Sequence, residues 1–197
     1  MKAIIFDFDG VIADTYNLYL ELAREVGHDV SHEDFKAHHD GNVYEKPVIP
    51  FTKESQEIFF SKCFEKITDI KPFLSKGHIE DLSKGKELYI LSSGKEYSIE
   101  KFLEHYDLKN YFSEILGQQF HKSKIEKFKY IFNKYKYTPD DVVFISDTLG
   151  DILEAHKVGV RTIAVDFGFH ERERLERGKP HVIVSNFEEL KAEIEKL

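Results

Sequence analysis

Hydrophobic residues in this chain form short continuous runs and longer segments with helical spacing, and the two kinds of segment alternate. Apolar runs of strand length predict strands near residues 2–8, 87–92, 114–118, 142–146, 161–166 and 181–184. Amphipathic spacing predicts helices near residues 75–84, 96–106, 123–136, 149–158, 171–177 and 187–196. Strands that alternate with helices are typical of a parallel sheet covered on both faces. The pattern therefore predicts an α/β fold.

Residues 15–73 break this alternation. Three helix-like segments occur there, near residues 15–27, 31–38 and 54–69. A polar stretch and the two prolines Pro47 and Pro50 separate them. We therefore expect a main domain made of residues 1–14 and 74–197, with a small helical insertion at residues 15–73 directly after the first strand.

Carboxylates and a serine stand where three of the predicted strands end. Asp7 and Asp9 close the first strand, and strand alternation puts their side chains on the same side of the backbone. Two such charges about 4 Å apart repel by roughly 4 kcal/mol at an effective dielectric of about 20. A cation, or a proton held by one of the pair, must offset that repulsion. Ser92 and Asp147 end two other strands, and ligands bind beyond the carboxyl ends of parallel strands.

Four short motifs occur along the chain in a fixed order. They are Asp7-x-Asp9-Gly10-Val11, then Ser92, then Lys122, then Asp147-x-x-x-Asp151. Together they resemble the motifs of the haloacid dehalogenase-like hydrolase superfamily. The segment 165–170, Val-Asp-Phe-Gly-Phe-His, also resembles the phosphoglycolate-phosphatase-type members. The resemblance covers nearly the whole chain, and it implies a Rossmann-like parallel sheet with residues 15–73 as a small helical cap over the site.

The resemblance also implies a role for each motif residue. Asp7 is expected to be the nucleophile, and Asp9 the acid and base, with a raised pKa. Mg²⁺ is the expected cofactor, held by Asp7, Asp147 and the backbone carbonyl of Asp9. Asp151 is expected to orient Asp147 or a metal-bound water.

The phosphoryl oxygens are expected to be held by the Ser92 hydroxyl, by the adjacent Ser93 and by Lys122. Lys124 is the rival for the lysine role. Counting back from Phe128 favours Lys122, because that spacing agrees better with the family pattern.

These roles predict a Mg²⁺-dependent phosphatase that acts on a small phosphorylated metabolite through an aspartyl-phosphate. A phosphomutase of the β-phosphoglucomutase kind is the alternative, because it shares the same motifs. A phosphate-binding regulator without activity is a third reading, disfavoured because the motif residues are intact.

Composition narrows the choice of partners. The net charge of −8 disfavours nucleic acid, whose binding depends on neutralising phosphates. One cysteine, Cys63, suits a reducing cytoplasm, and no run approaches the ~20 apolar residues of a membrane span.

Cys63 lies in a helical, Phe-rich segment and is expected to pack there. The consecutive residues His38, His39 and Asp40 are expected to lie in a surface loop or a substrate loop rather than to form a second metal site.

Overall fold

The computed structural model describes residues 1–45 and 47–197. Within them, six parallel strands form one sheet: β1 (Ala3–Phe6), β2 (Glu87–Leu91), β3 (Phe112–Leu116), β4 (Val142–Ser146), β5 (Arg161–Val165) and β6 (Val182–Val184). The strand order is β3-β2-β1-β4-β5-β6. The order therefore changes direction at β1, and such a switch point is where open parallel sheets bind ligands.

Helices connect the strands and cover both faces of the sheet. They are α1 (Tyr16–Glu25), α2 (His32–His38), α3 (Lys53–Lys66), α4 (Lys76–Leu82), α5 (Glu96–His105), α6 (Lys124–Tyr135), α7 (Leu149–Lys157), α8 (Arg172–Glu176) and α9 (Phe187–Glu195). The predicted α/β fold with a parallel sheet is confirmed. None of the described helices has the length and apolar character needed to cross a membrane.

The central strand β1 shows why the sheet is covered on both faces. Ile4 and Phe6 join a buried cluster that includes Phe102 of α5, whereas Ala3 and Ile5 join a second cluster that includes Phe128 of α6. Side chains alternate between faces along a strand, so a continuous apolar run needs a helical layer on each side. The odd-numbered side of β1 faces α6.

Helices α1 to α3 pack around an apolar cluster of their own. It contains Leu20, Leu22, Phe35, Phe59 and Cys63, so this cysteine is a packing residue as expected. The Ser31 side chain caps α2 by accepting a hydrogen bond from the Asp34 N–H at 3.1 Å. The division of the chain at residues 14/15 and 73/74 stays a prediction.

Two strands, β1 and β3, differ from their predicted bounds by two residues at an end. β1 ends at Phe6 rather than at residue 8, because the chain turns there and the Phe8 carbonyl accepts the N–H of Ile12 at 2.9 Å. β3 runs over Phe112–Leu116 rather than 114–118, because the Gly117 N–H leaves the sheet and donates to Glu96 Oε1 at 2.9 Å. Periodicity does not detect either hydrogen bond.

Candidate active site

Asp7 follows the last residue of β1 and is tied to the neighbouring strand. Its N–H donates to the Ile145 carbonyl of β4 at 2.8 Å, so its position is set by the sheet. The chain then turns at Gly10, whose φ of +73° lies in the left-handed region that glycine adopts without strain. A Cβ on Gly10 would overlap the Asp147 carboxylate. The turn therefore brings Asp9 to the same cavity as Asp7.

A buried lysine neutralises the carboxylates at the base of this cavity. Lys124 is 1% exposed. Its ammonium lies 2.9 Å from Asp7 Oδ2 and also forms an ion pair with Asp151. Lys122, the lysine favoured by counting, also lines the cavity, but it is exposed and its ammonium lies 5.3 Å from the centre of the Tyr44 ring. Helix α6 begins at Lys124, so Lys122 lies outside the helix, and it is Lys124 that contacts Asp7. Which of the two lysines binds the phosphoryl group stays a prediction.

Burial dominates the electrostatics of the carboxylates. It raises the pKa of Asp7 well above the usual range, although Lys124 opposes this shift, and it raises the pKa of Asp147 to about 8. For Asp151 burial is outweighed, and its pKa is lowered by Lys124 and by hydrogen bonds from Asp7 and Ser146. The site therefore contains more carboxyl groups than Lys124 alone can keep ionised.

Asp9 has a set of neutral hydrogen-bond donors. Thr15 Oγ1 donates to its Oδ1 at 2.9 Å, and Ser92 Oγ lies 3.5 Å from its Oδ2. Burial raises its pKa, and the hydrogen bonds from Tyr19, Thr15 and Ser92 oppose that shift. An Asp with a raised pKa can hold a proton near neutral pH, as the acid and base role requires. Motif reasoning missed Thr15, which follows the motif by only four residues.

Ser92 ends β2 and anchors the loop that follows. Its hydroxyl accepts the Gly94 N–H at 2.9 Å, and its carbonyl accepts a hydrogen bond from Lys127 Nζ at 2.5 Å. Ser93 and Gly94 line the cavity. Lys127 is fully buried, and burial together with nearby Lys124 lowers its pKa to about 7. Lys127 lies one helical turn after Lys124, on the same side of α6.

Asp147 and Asp151 differ in their partners. Asp147 is fully buried, and its Oδ2 accepts the Phe169 N–H at 2.7 Å. Its Oδ1 has no hydrogen-bond partner among the described residues. Asp151 is satisfied by Lys124 and by Ser146 Oγ at 2.7 Å. In the described part of the chain, no group of three or more His, Cys, Asp and Glu side chains is arranged to hold a metal.

Residues 39–44 of the insertion dock on the main sheet and close the cavity from above. The Gly150 N–H of α7 donates to the His39 carbonyl at 3.0 Å, and a Cβ on Gly150 would lie 2.5 Å from the Gly41 carbonyl oxygen. The Tyr44 hydroxyl donates to the Ser93 carbonyl. The cavity has a volume of about 280 Å³, and it is lined by His38, the last residue of α2, and by His39.

Known proteins resemble this chain in sequence and in fold. The model of the haloacid dehalogenase-like hydrolase family matches residues 4–165. A phosphoglycolate phosphatase from Synechococcus elongatus is 25% identical over 187 residues, which cover 89% of this chain and 88% of that protein.

Solved structures give the same result for the fold. A haloacid dehalogenase-like family hydrolase from Streptococcus pneumoniae superposes with a TM-score of 0.81 at 21% identity over 98% of each chain. A predicted phosphatase from Clostridium acetobutylicum has a TM-score of 0.82 at 21% identity, covering 100% of this chain and 99% of that one. At these identities the structures show the fold alone. Because the family match spans most of the chain, this protein belongs to the haloacid dehalogenase-like hydrolases, and its curated relatives confirm the prediction of an enzyme from the phosphatase branch.

Proposed function

We propose that this protein is a Mg²⁺-dependent phosphatase that hydrolyses a small phosphomonoester through an aspartyl-phosphate on Asp7. One observation carries the proposal: the Asp7 carboxylate lines a cavity together with Asp9, whose pKa is raised, and lies 2.9 Å from the buried Lys124 ammonium. A nucleophile, a proton donor and a cation that binds phosphoryl oxygens thus meet in one place.

The residues present suit a divalent cation. Asp147 Oδ1 is buried without a hydrogen-bond partner among the described residues, and Asp7 and Asp147 both have raised pKa values that a cation would lower. Mg²⁺ prefers oxygen ligands and keeps several waters, so two carboxylates and a backbone carbonyl are enough protein ligands. Asp7, Asp147 and the Asp9 carbonyl would hold it. When bound, it would neutralise negative charge on the phosphoryl group.

In the first step an Asp7 carboxylate oxygen attacks phosphorus, and a new O–P bond forms as the bond to the leaving oxygen breaks. Asp9 gives its proton to that leaving oxygen, which departs as an alcohol. In the second step Asp9 takes a proton from water, and the water oxygen attacks phosphorus. The bond between Asp7 and phosphorus then breaks, which releases inorganic phosphate and restores both carboxyl groups.

Three groups would hold the phosphoryl oxygens during both steps. They are the Lys124 ammonium, the Ser92 hydroxyl and the backbone amide of Ser93. Lys127 supports this loop from behind through the Ser92 carbonyl. Phosphoryl transfer depends mainly on positioning and on electrostatic stabilisation, which this arrangement supplies.

The substrate we propose is a small phosphorylated metabolite and not a nucleic acid, in agreement with the net charge of −8. The single cysteine is buried and free, and on that ground we place the activity in the cytoplasm. The relative from Synechococcus elongatus acts on phosphoglycolate by its name, and that compound is one candidate.

Trapping of the phosphoenzyme tests the mechanism. Asp7→Asn removes the nucleophile and is expected to abolish labelling by a ³²P-labelled aryl phosphate. Asp9→Asn keeps the shape and removes only proton transfer, so with a good leaving group the label is expected to accumulate on the protein. Label on the Asp7 variant, or turnover by it near the wild-type rate, would show that the nucleophile lies elsewhere.

A further inference from the structure

The two halves of the cavity differ in chemistry. Its base, supplied by the main sheet, carries the charged groups described above. Its roof, supplied by α2, α3 and the segment between them, is apolar and aromatic. The apolar residues of the roof are Phe35, Val43, Ile49, Phe51, Phe59 and Phe60. A phosphoryl group held at the base therefore directs the rest of its ester towards this roof.

The roof rings already pack with one another in a geometry suited to a further ring. Phe51 and Phe59 have centroids 5.3 Å apart at an interplanar angle of 62°, and Phe59 and Phe60 lie 5.5 Å apart at 81°. Edge-to-face and offset contacts at these distances are the favoured arrangement of aromatic pairs. A planar apolar group entering the cavity would extend this array.

Two neutral histidines add polar positions to the apolar roof. His38 Nδ1 accepts the Val48 N–H at 3.1 Å, so its proton is on Nε2. His39 Nδ1 donates to the Phe35 carbonyl at 2.8 Å, so its Nε2 is an acceptor. Burial lowers the pKa of His38 to about 3 and that of His39 to about 4, and both are neutral at pH 7. The two histidines thus add one uncharged donor and one uncharged acceptor, and the insertion also lines the cavity with the uncharged polar side chains of Tyr19, Asn42, Tyr44 and Gln56.

Charge in the cavity is concentrated at the base. Among the described residues that line the cavity, the Asp, Glu and Lys side chains, including Asp9, Lys122, Lys124 and Glu154, come from outside the helical insertion of residues 15–73. A carboxylate on the leaving group would be moved from water against phenylalanine rings, which is costly without a paired cation. A ring with one or two polar substituents would meet no such cost.

Building on the phosphatase function proposed above, we infer that the natural substrate is a phosphate ester whose leaving group contains one uncharged, mainly apolar ring with polar substituents. Phosphoglycolate and polyhydroxylated sugar phosphates are disfavoured. The cavity of about 280 Å³ lies at the small end of ligand sites, which begin near 300 Å³, and this size suits a phosphoryl group with a single ring.

A panel of three esters with similar leaving oxygens tests the inference. Benzyl phosphate, phosphoglycolate and glucose 6-phosphate all release a primary alcohol. Differences in kcat/KM among them therefore reflect contacts between the leaving group and the roof rather than intrinsic reactivity. Assayed with excess Mg²⁺, benzyl phosphate is expected to exceed each of the others by about tenfold or more, the effect of burying one ring.

Two phenylalanines one turn apart on α3 provide the test variant and its control. Phe60 lines both the cavity and an adjoining surface groove, whereas Phe64 is 40% exposed and lines the groove but not the cavity. Phe60→Ala is expected to lower the ratio of kcat/KM for benzyl phosphate to that for phosphoglycolate by about tenfold. Phe64→Ala is expected to leave the ratio at its wild-type value.

If Phe60→Ala does not fold, inhibition of the wild-type protein tests whether the roof prefers an apolar ring. Benzylphosphonate is expected to inhibit with an inhibition constant about tenfold below that of phosphonoacetate. Phosphoglycolate or glucose 6-phosphate hydrolysed ahead of benzyl phosphate, or equal inhibition by both phosphonates, would overturn the inference and leave the phosphatase function intact. Hydrolysis of none of the three esters would overturn the phosphatase function and the inference with it.

Discussion

Replacing Lys124 with methionine separates the two candidate lysines. Methionine keeps the length of the side chain and removes its charge. In the wild-type protein the Lys124 ammonium lies 2.9 Å from Asp7 Oδ2 and pairs with Asp151, and all three side chains are buried. The substitution leaves two adjacent buried carboxyl groups without their common cation.

The expected losses follow from that burial. Removing one partner of a buried ion pair costs about 3–5 kcal/mol, because the remaining charge has neither water nor a counterion. The free energy of unfolding at pH 7 should fall by about that amount in the metal-free protein. Removing one electrostatic contact to the transition state costs a factor of about 10²–10³ in kcat. Lys124→Met should therefore lose both stability and activity.

Lys122→Met is the matched control. Lys122 is exposed and its ammonium lies 5.3 Å from the centre of the Tyr44 ring, so its loss should change the free energy of unfolding by no more than about 0.5 kcal/mol. Its kcat should fall by less than about tenfold, because a solvated ammonium contributes little. Urea unfolding followed by circular dichroism gives the first quantity, and phosphate release from an aryl phosphate gives the second.

The relative effects of the two substitutions decide the assignment. A larger loss of kcat in Lys122→Met than in Lys124→Met would refute the reasoning and restore the preference based on sequence spacing. Wild-type stability and turnover in Lys124→Met would refute the claim that this ammonium neutralises the site.

Three further predictions concern the metal, the docking of residues 39–44 on the main domain, and the dependence of the free energy of unfolding on pH. Phosphate release should stop in excess EDTA and return with excess Mg²⁺, and undiminished turnover in chelator would contradict the metal assignment. Gly150→Ala puts a Cβ 2.5 Å from the Gly41 carbonyl oxygen, so the docked loop must move. Its kcat/KM should fall by about tenfold to a hundredfold, with a urea midpoint close to that of the wild type, and an unchanged kcat/KM would count against the docking contact. His38 and His39 have pKa values lowered to about 3 and about 4 by burial, so between pH 6.5 and pH 4 the unfolded chain binds more protons than the folded protein. The free energy of unfolding should fall by about 1.4 kcal/mol per pH unit for each histidine as pH drops below about 6.5. A His38→Gln, His39→Gln variant should show a flatter dependence in urea unfolding, and an equal slope would contradict it.

The sequence by itself determined the sheet and the polar residues at the ends of its strands. Asp7, Ser92 and Asp147 each follow an apolar run, and a run of that length has few ways to be buried other than as a central parallel strand. The carboxyl ends of parallel strands meet at one edge, so residues at those ends converge without further information. That part of the site depends on local periodicity.

Tertiary packing decided which lysine contacts Asp7 and what shape the cavity has. Lys122 lies two residues before Lys124, the first residue of α6, and only the packing of that helix against the sheet determines that the Lys124 ammonium is buried beside Asp7. The aromatic roof depends likewise on how the insertion docks through His39 and Tyr44. Such contacts join residues distant in the chain, and their geometry is set by the packing of whole helices, which hydrophobic spacing along one segment does not encode.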